Sequence, residues 1–267
     1  MNEIKMNRLG SQVINDAVAV AQRILWEMGR RRRSLVFWGV FPLSVLILMG
    51  VILADRAELP LSLALELAAP ATLAGAALFF SCVGGTVATL VAEREQQTLK
   101  RLFLSPLSGE GYFLGICGAQ GAIALGQTVL LYGVARGMGA RFVGAWWLGV
   151  VIVGLSILAY VGVGFLLGTQ LARRTEDVNT LIAAFGVPLL ILGGAFLPTM
   201  IFPASLLTIA QFNPIFHMTE ALTGVWADGA TVGDIRDHLS ILAGFAIAML
   251  ILGGLSYQQM LRRERRF

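Results

Sequence analysis

EREQQTLKRLFLSP, Glu93–Pro106, sets the charged side chains of Glu93, Arg94, Glu95, Lys100 and Arg101 within nine positions, with Glu110 just beyond. It separates two runs of more than twenty mostly apolar residues. A charge held at the centre of a bilayer costs about 2.5–3.5 kcal/mol or more, so this segment must lie on a solvent side between two membrane spans. No Gly or Pro precedes Pro106 within it, and its residues are good helix formers, which predicts a short helix over 93–105. Pro106 ends that helix, and the Ser105–Gly109 stretch turns the chain back toward the membrane. A stiff charged helix between two spans is suited to touch another protein. A merely solvated loop is the alternative reading of the same residues.

The composition agrees with a membrane chain. Of 267 residues, 57% are hydrophobic and 13% charged, against the roughly 25% charged residues of soluble domains. The mean hydropathy is +0.76. The 31 glycines fit close packing of membrane helices. Gly115, Gly118 and Gly121 share one side of the third apolar run, Gly133 and Gly137 stand four apart at its end, and Gly164 and Gly168 repeat that spacing in the fourth. Cys82 and Cys117 fall inside apolar runs and read as free buried thiols. Two histidines, His217 and His238, with no Cys/His cluster, predict no metal site.

A span needs about 20 apolar residues, and six runs qualify: 34–54, 64–91, 112–135, 146–170, 178–199 and 240–259. The fold class is therefore an all-α integral membrane protein of six transmembrane helices forming one unit over 34–267. Trp146 and Trp147 supply an interfacial aromatic pair. Pro42 and Pro70 are expected to kink their helices. Ahead of the spans, residues 1–33 form an amphipathic segment. Val13, Ile14, Ala17, Val18, Ala21, Ile24, Leu25 and Met28 recur at helical spacing, and Arg30–Arg33 close it. That pattern predicts a helix lying on the membrane surface, with a soluble helix set against a partner as the alternative reading. No signal-peptide cleavage site is convincing before the first span.

The stretch 203–224 is apolar enough to suggest a seventh span, but Gln211, Asn213, Pro214, His217 and Glu220 interrupt it. A pair of short helices broken at Pro214, dipping in from the outer side, fits better. Charge supports the count of six. With the N-terminus inside, the inner segments hold 16 of the 20 Lys and Arg residues, leaving Arg56, Arg136, Arg141 and Arg236 outside. This is the asymmetry the positive-inside rule expects. Both termini are accordingly expected to be cytoplasmic in a multi-pass protein of the inner (plasma) membrane.

Chemistry is sparse. No Ser/His/Asp arrangement or paired carboxylates at membrane depth can be assembled. A phosphate-binding loop needs G-x-x-x-x-G-K-[ST], and neither of the two lysines, Lys5 and Lys100, sits in one. Any energy must come from another subunit or from an ion gradient. The scarcity of central charges argues against a proton-driven route and suits a hydrophobic substrate. Glu220 and His217 are the residues that could carry a proton relay.

LVAEREQQTLKRLFLSPLSGEGYFLGI, Leu90–Ile116, resembles the signature of type-2 ABC exporter permeases, the membrane subunits that include daunorubicin-type drug exporters and bacterial envelope exporters. Glu93, Arg94, Glu95, Thr98, Leu99, Arg101, Leu102, Ser105 and Pro106 match the pattern; Gln97 stands where that family usually has Gly, which changes the backbone freedom there. Pro188–Val225 resembles the family's fifth span, its short outer helices and an N-P-x-x-x-x-x-E-A-L segment, with Asn213, Pro214, Glu220, Ala221 and Leu222 in place. The resemblance covers nearly the whole chain. It implies that 93–105 is a coupling helix set in a groove of an ATP-binding subunit, with Glu93, Arg94, Glu95, Thr98, Leu99, Lys100, Arg101, Leu102 and Pro106 as its contacts. It implies that the N-terminal helix is a connecting helix beside it.

Two ATPase copies and a second permease copy, a homodimer, would complete the unit, surrounded by membrane lipids. ATP and Mg would belong to the partner, with no cofactor in this chain, and nucleic acid is not an expected partner. The function implied is the transmembrane subunit of an ATP-driven exporter of a lipid-like, drug-like or glycan-type substrate. Pro198, Asn213, Pro214 and Glu220 would form its outer gate. A membrane scaffold or assembly subunit and a gradient-driven carrier are the rival readings.

Overall fold

The computed structural model describes residues 2–96 and 107–264, with the side chains of 2–9, 32–35 and 263–264 excepted. The elements are α1 (Asn2–Arg30), α2 (Arg32–Arg56), α3 (Leu61–Glu95), α4 (Gly109–Gly137), α5 (Trp146–Gln170), α6 (Thr175–Leu192), α7 (Ala204–Ala210), α8 (Pro214–Trp226) and α9 (Arg236–Glu264). No strand occurs among the described residues. Six helices, α2 to α6 and α9, are long and apolar enough to cross a membrane. A helix satisfies every backbone polar group within its own segment, which is why hydrocarbon-facing sequence of this kind takes no other form.

The fourth span ends where the sequence places it, at 146–170. The second is longer than the 64–91 reading. It runs from Leu61 to Glu95. Pro70 removes a donor from its ladder, and one turn later the helix widens into π-type turns over Leu73–Gly84. Ala74 O in that widened stretch accepts from the Tyr160 hydroxyl of α5 at 2.9 Å.

The fifth span is shorter than 178–199. It stops at Leu192 because Gly194, at φ +80°, takes the left-handed conformation. Gly194 N donates to Ile191 O at 3.1 Å and Ala195 N to Leu190 O at 2.9 Å, the paired bonds that close a helix around a left-handed glycine.

The core is centred on α3 and α5, with α4, α8 and α9 packed around them. In its most apolar window α3 is 72% buried, against 17% for α2 and for α6. Small residues set this packing. A Cβ on Gly162 would lie 2.6 Å from the Met249 carbonyl group of α9, and one on Gly253 would lie 2.7 Å from Gly162 O. Gly164 and Gly168 press on Thr86 and Leu90 of α3 in the same way. The same spacing at Gly133 and Gly137 meets nothing within 4 Å.

α1 lies along α4. Its apolar residues divide: Val20 is buried against Gly115, whereas Ile14, Val18 and Trp26 are exposed. Crossing six times, the chain brings α1, the end of α3, the start of α4, the α5–α6 connection and the end of α9 to one end of the bundle, called here the terminal end. The turns after α2, α4 and α6, with α7 and α8, occupy the opposite end.

Candidate functional site

Two clusters stand out, one at each end. The first is the foot of the segment quoted at the outset. Residues 97–106 lie outside the described residues, and with them Thr98, Leu99, Lys100, Arg101, Leu102 and Pro106 of the coupling assignment. Glu93, Arg94 and Glu95, the last turn of α3, are described, and each engages a different neighbour.

Glu93 is buried. Arg23 of α1 donates to its Oε1, and the Tyr112 hydroxyl of α4 donates to its Oε2. A buried carboxylate needs such partners, because its uncompensated charge is strongly disfavoured away from water. A second tie runs beside it. Asp16 accepts from Ser108 N at 2.9 Å and Ser108 Oγ at 2.8 Å, and Ser108 Oγ accepts from Gly111 N at 3.1 Å as the N-cap of α4. Gly111 and Gly115 let α1 come this close, since Cβ atoms there would meet Asp16 Cβ at 2.4 Å and Val20 Cβ at 2.5 Å.

Arg94 turns the other way. Its guanidinium donates to Ala172 O at 2.9 Å and Gly168 O at 3.1 Å. These carbonyls lie at the C-terminus of α5, where unpaired acceptors and the negative end of the helix dipole favour a cation. Glu95 accepts from Thr175 N at 3.0 Å and Thr175 Oγ1 at 2.6 Å, placing a negative charge on the N-terminus of α6.

The second lies at the α6–α8 end, where the four residues of the predicted outer gate fall into two separate ties. Asn213 is the N-cap of α8, accepting from Ile215 N at 3.0 Å, and Pro214 takes the first helical position, where its missing N–H costs nothing. The Asn213 amide also donates to Leu189 O at 2.7 Å, so α8 is fastened to the end of α6. Glu220 accepts from Thr199 Oγ1 at 2.8 Å, one residue beyond Pro198.

His217 is buried in α8 and joins His238 of α9, with the two Nδ1 atoms 2.9 Å apart. His217 Nε2 faces Gln211 O at 2.8 Å. A carbonyl can only accept, so that nitrogen carries the proton. A neutral His217 therefore accepts at Nδ1 from His238 Nδ1–H, an assignment made from the hydrogen-bond network. Among the described residues, no group of three or more His, Cys, Asp or Glu is placed to hold a metal.

The residues that sequence reasoning missed are partners. Arg23, Asp16, Tyr112, Ser108, Thr175, Thr199 and His238 each lie far along the chain from what they bind. A clue was available for α1: Gly111, Gly115 and Gly118 recur on one face of α4, and Ala21 lies 3.7 Å from a Cβ on Gly118.

Residues 16–226 match the family model described as ABC-2 type transporter. The chain is 28% identical over 176 residues to the linearmycin resistance permease protein LnrN of Bacillus subtilis (strain 168), covering 63% of this chain and 44% of that protein. It is 28% identical over 161 residues to the probable multidrug ABC transporter permease YbhR of Escherichia coli (strain K12), covering 58% of this chain and 42% of that one. The matched stretch spans less than half the length of each of these relatives.

Proposed function

Because the chain belongs to the ABC-2 type transporter membrane family, we propose that it is the transmembrane subunit of an ATP-driven exporter whose motor docks at residues 97–106. Permeases of this family work with ATP-hydrolysing partners. The observation that carries the reading is the set of ties at Glu93, Arg94 and Glu95. A push on the connection beyond Gln96 would be delivered through them to the adjoining helices instead of being absorbed by a loose loop. α1, held by Glu93 and Asp16, acts as the connecting helix that stiffens this base.

The unit is two copies of this chain and two ATPases, with both termini on the cytoplasmic side as the 16-to-4 distribution of Lys and Arg favours. ATP and Mg act in the partner. The largely uncovered α2 and α6 are surfaces for the second copy and for lipid. The substrate is a hydrophobic or amphiphilic compound moved outward, in keeping with the uncharged middle of the spans and with the drug-related names of the relatives. It leaves past the α6–α8 end, with Pro198, Asn213, Pro214 and Glu220 as its outer gate.

The test is charge reversal at the dock. In proteoliposomes holding the chain and its ATPase, Arg101→Glu is expected to abolish ATP-dependent export while membrane insertion and ATPase co-purification persist. Full export by that variant refutes the coupling role. Export that never depends on an ATPase favours the gradient-driven carrier, and a complex with no export at all favours the scaffold.

A further inference from the structure

Between α1, α2, α3 and α4, at the terminal end, lies a half-open recess of about 350 Å³. That is within the usual size range of small-molecule sites, roughly 300–1,000 Å³. Gly85 forms part of its floor, Trp38 and Ile123 line its apolar side, and Glu27 and Arg31 stand at its edge. Gln120 reaches into it from α4. This residue is 3% exposed, and its side-chain amide has no hydrogen bond to any described residue. Buried amides are nearly always paired, so an amide left open toward a cavity marks the place of a missing partner.

The floor is built around that amide. A Cβ on Gly85 would lie 2.6 Å from Gln120 Oε1 and 2.9 Å from Nε2. Only glycine leaves the amide where it is. The neighbouring Gln127, two turns along the same helix, is engaged at one end: its Nε2 donates to Trp38 O at 2.8 Å, while its Oε1 is buried without a partner.

The charges around the recess select against an ionic guest. Arg31 is paired with Glu27 at 2.6 Å, and Glu93, which also borders the recess, has both oxygens occupied by Arg23 and Tyr112. What remains is uncharged: the buried Gln120 amide, a donor and an acceptor side by side, and the exposed Gln96, next to an indole and an aliphatic wall. We infer that this recess binds a neutral amphiphile whose hydroxyl or amide head group pairs with Gln120 and whose apolar tail lies along Trp38 and Ile123. This binding requires only the folded chain in a membrane, so it stands or falls separately from ATP-driven export.

The full chain in phosphatidylcholine nanodiscs tests this, with three photoactivatable lipids that carry the same diazirine acyl chain. They are diacylglycerol with its neutral hydroxyl, phosphatidic acid with an anionic head, and phosphatidylcholine. Diacylglycerol is expected to label the peptides around Trp38 and Ile123 in preference to the other two. Loss of one hydrogen-bonded contact predicts about five- to tenfold less labelling in Gln120→Leu. Gly85→Ala, which keeps the amide but displaces it, is expected to fall in the same direction. Equal labelling by all three lipids in the wild-type chain means acyl-chain filling only and overturns the proposal, whatever the variants do. Undiminished labelling in folded Gln120→Leu or in Gly85→Ala overturns it as well. Loss of ATP-dependent export with head-group selectivity intact would count against the transport reading and leave this one standing.

Discussion

A backbone-to-backbone helix contact of the core gives a prediction whose size follows from distances. A Cβ on Gly162 of α5 would lie 2.6 Å from the carbonyl carbon and oxygen of Met249 and 2.8 Å from Leu250 N of α9. All three are backbone atoms, so no side chain can rotate away, and comfortable carbon contacts begin at about 3.5 Å. The helices must separate by most of an ångström, and a gap of about 0.5–1 Å already forfeits a quarter to a half of each contact's attraction. Overpacking of this kind costs about 1–3 kcal/mol. Gly154 on the same helix has nothing within 4 Å and serves as the control. Gly→Ala gains helix propensity of about 1 kcal/mol at either place, and this cancels when the two variants are compared. Gly162→Ala is therefore expected to be about 1–3 kcal/mol less stable than Gly154→Ala. Unfolding in mixed micelles titrated with sodium dodecyl sulfate, followed by the tryptophans, measures the difference. Equal stability of the two variants would refute the backbone contact between α5 and α9.

Three more outcomes are expected. Glu93→Gln leaves the Arg23 guanidinium facing a neutral amide; with Arg23's side chain 36% exposed, the loss should be about 2 kcal/mol, against about 1 kcal/mol for Tyr112→Phe, both read by the same titration. Asn213→Ala should cost about 1–2 kcal/mol, and Asn213→Ser should recover the capping share but not the bond to Leu189 O, so a Ser variant no better than Ala would contradict the capping role. Asp234 accepts from Thr231 N and Oγ1 just before α9, and these bonds, the backbone one first, hold its carboxyl below the usual range. A depressed folded value means stability that is present at neutral pH and lost as pH falls through the acid range. Protection of Thr231 N from hydrogen exchange, with the intrinsic pH dependence divided out, should fall there in the wild type and be low at every pH in Asp234→Ala.

What the sequence yielded and what it withheld divide along a physical line. Apolar length survives into the structure, because hydrocarbon imposes it on any segment that enters: the span at 146–170 keeps both its ends. Backbone handedness does not show in hydropathy. Phe196 and Leu197 are as apolar as what precedes them, and the fifth span stops short of them because Gly194 turns left-handed. The chemical types of the site residues were also legible, but their directions were not. Read along the chain, Glu93 to Glu95 are simply charges and belong in water. Folded, Glu93 is buried and Arg94 is spent on another helix's carbonyls, since the partners that make this tolerable lie about seventy residues away or more for Arg23, Gly168 and Ala172.

Those three charges also explain how one short connection can act on much of the bundle. Successive residues of a helix point about 100° apart, so three in a row sweep more than half its circumference. At the end of α3 that sweep meets α1 and α4 through Glu93, the end of α5 through Arg94 and the start of α6 through Glu95. A single charge in this place would bind one neighbour and leave the others to slide. Alternating sign suits the targets: the cation reaches the C-terminus of a helix, and the exposed anion reaches an N-terminus. Inverting Arg94 and Glu95 as a pair would keep net charge and composition, yet set each against the wrong helix end. In the proposed exporter that swap should weaken coupling even though residues 97–106 are untouched, which separates force transmission from docking.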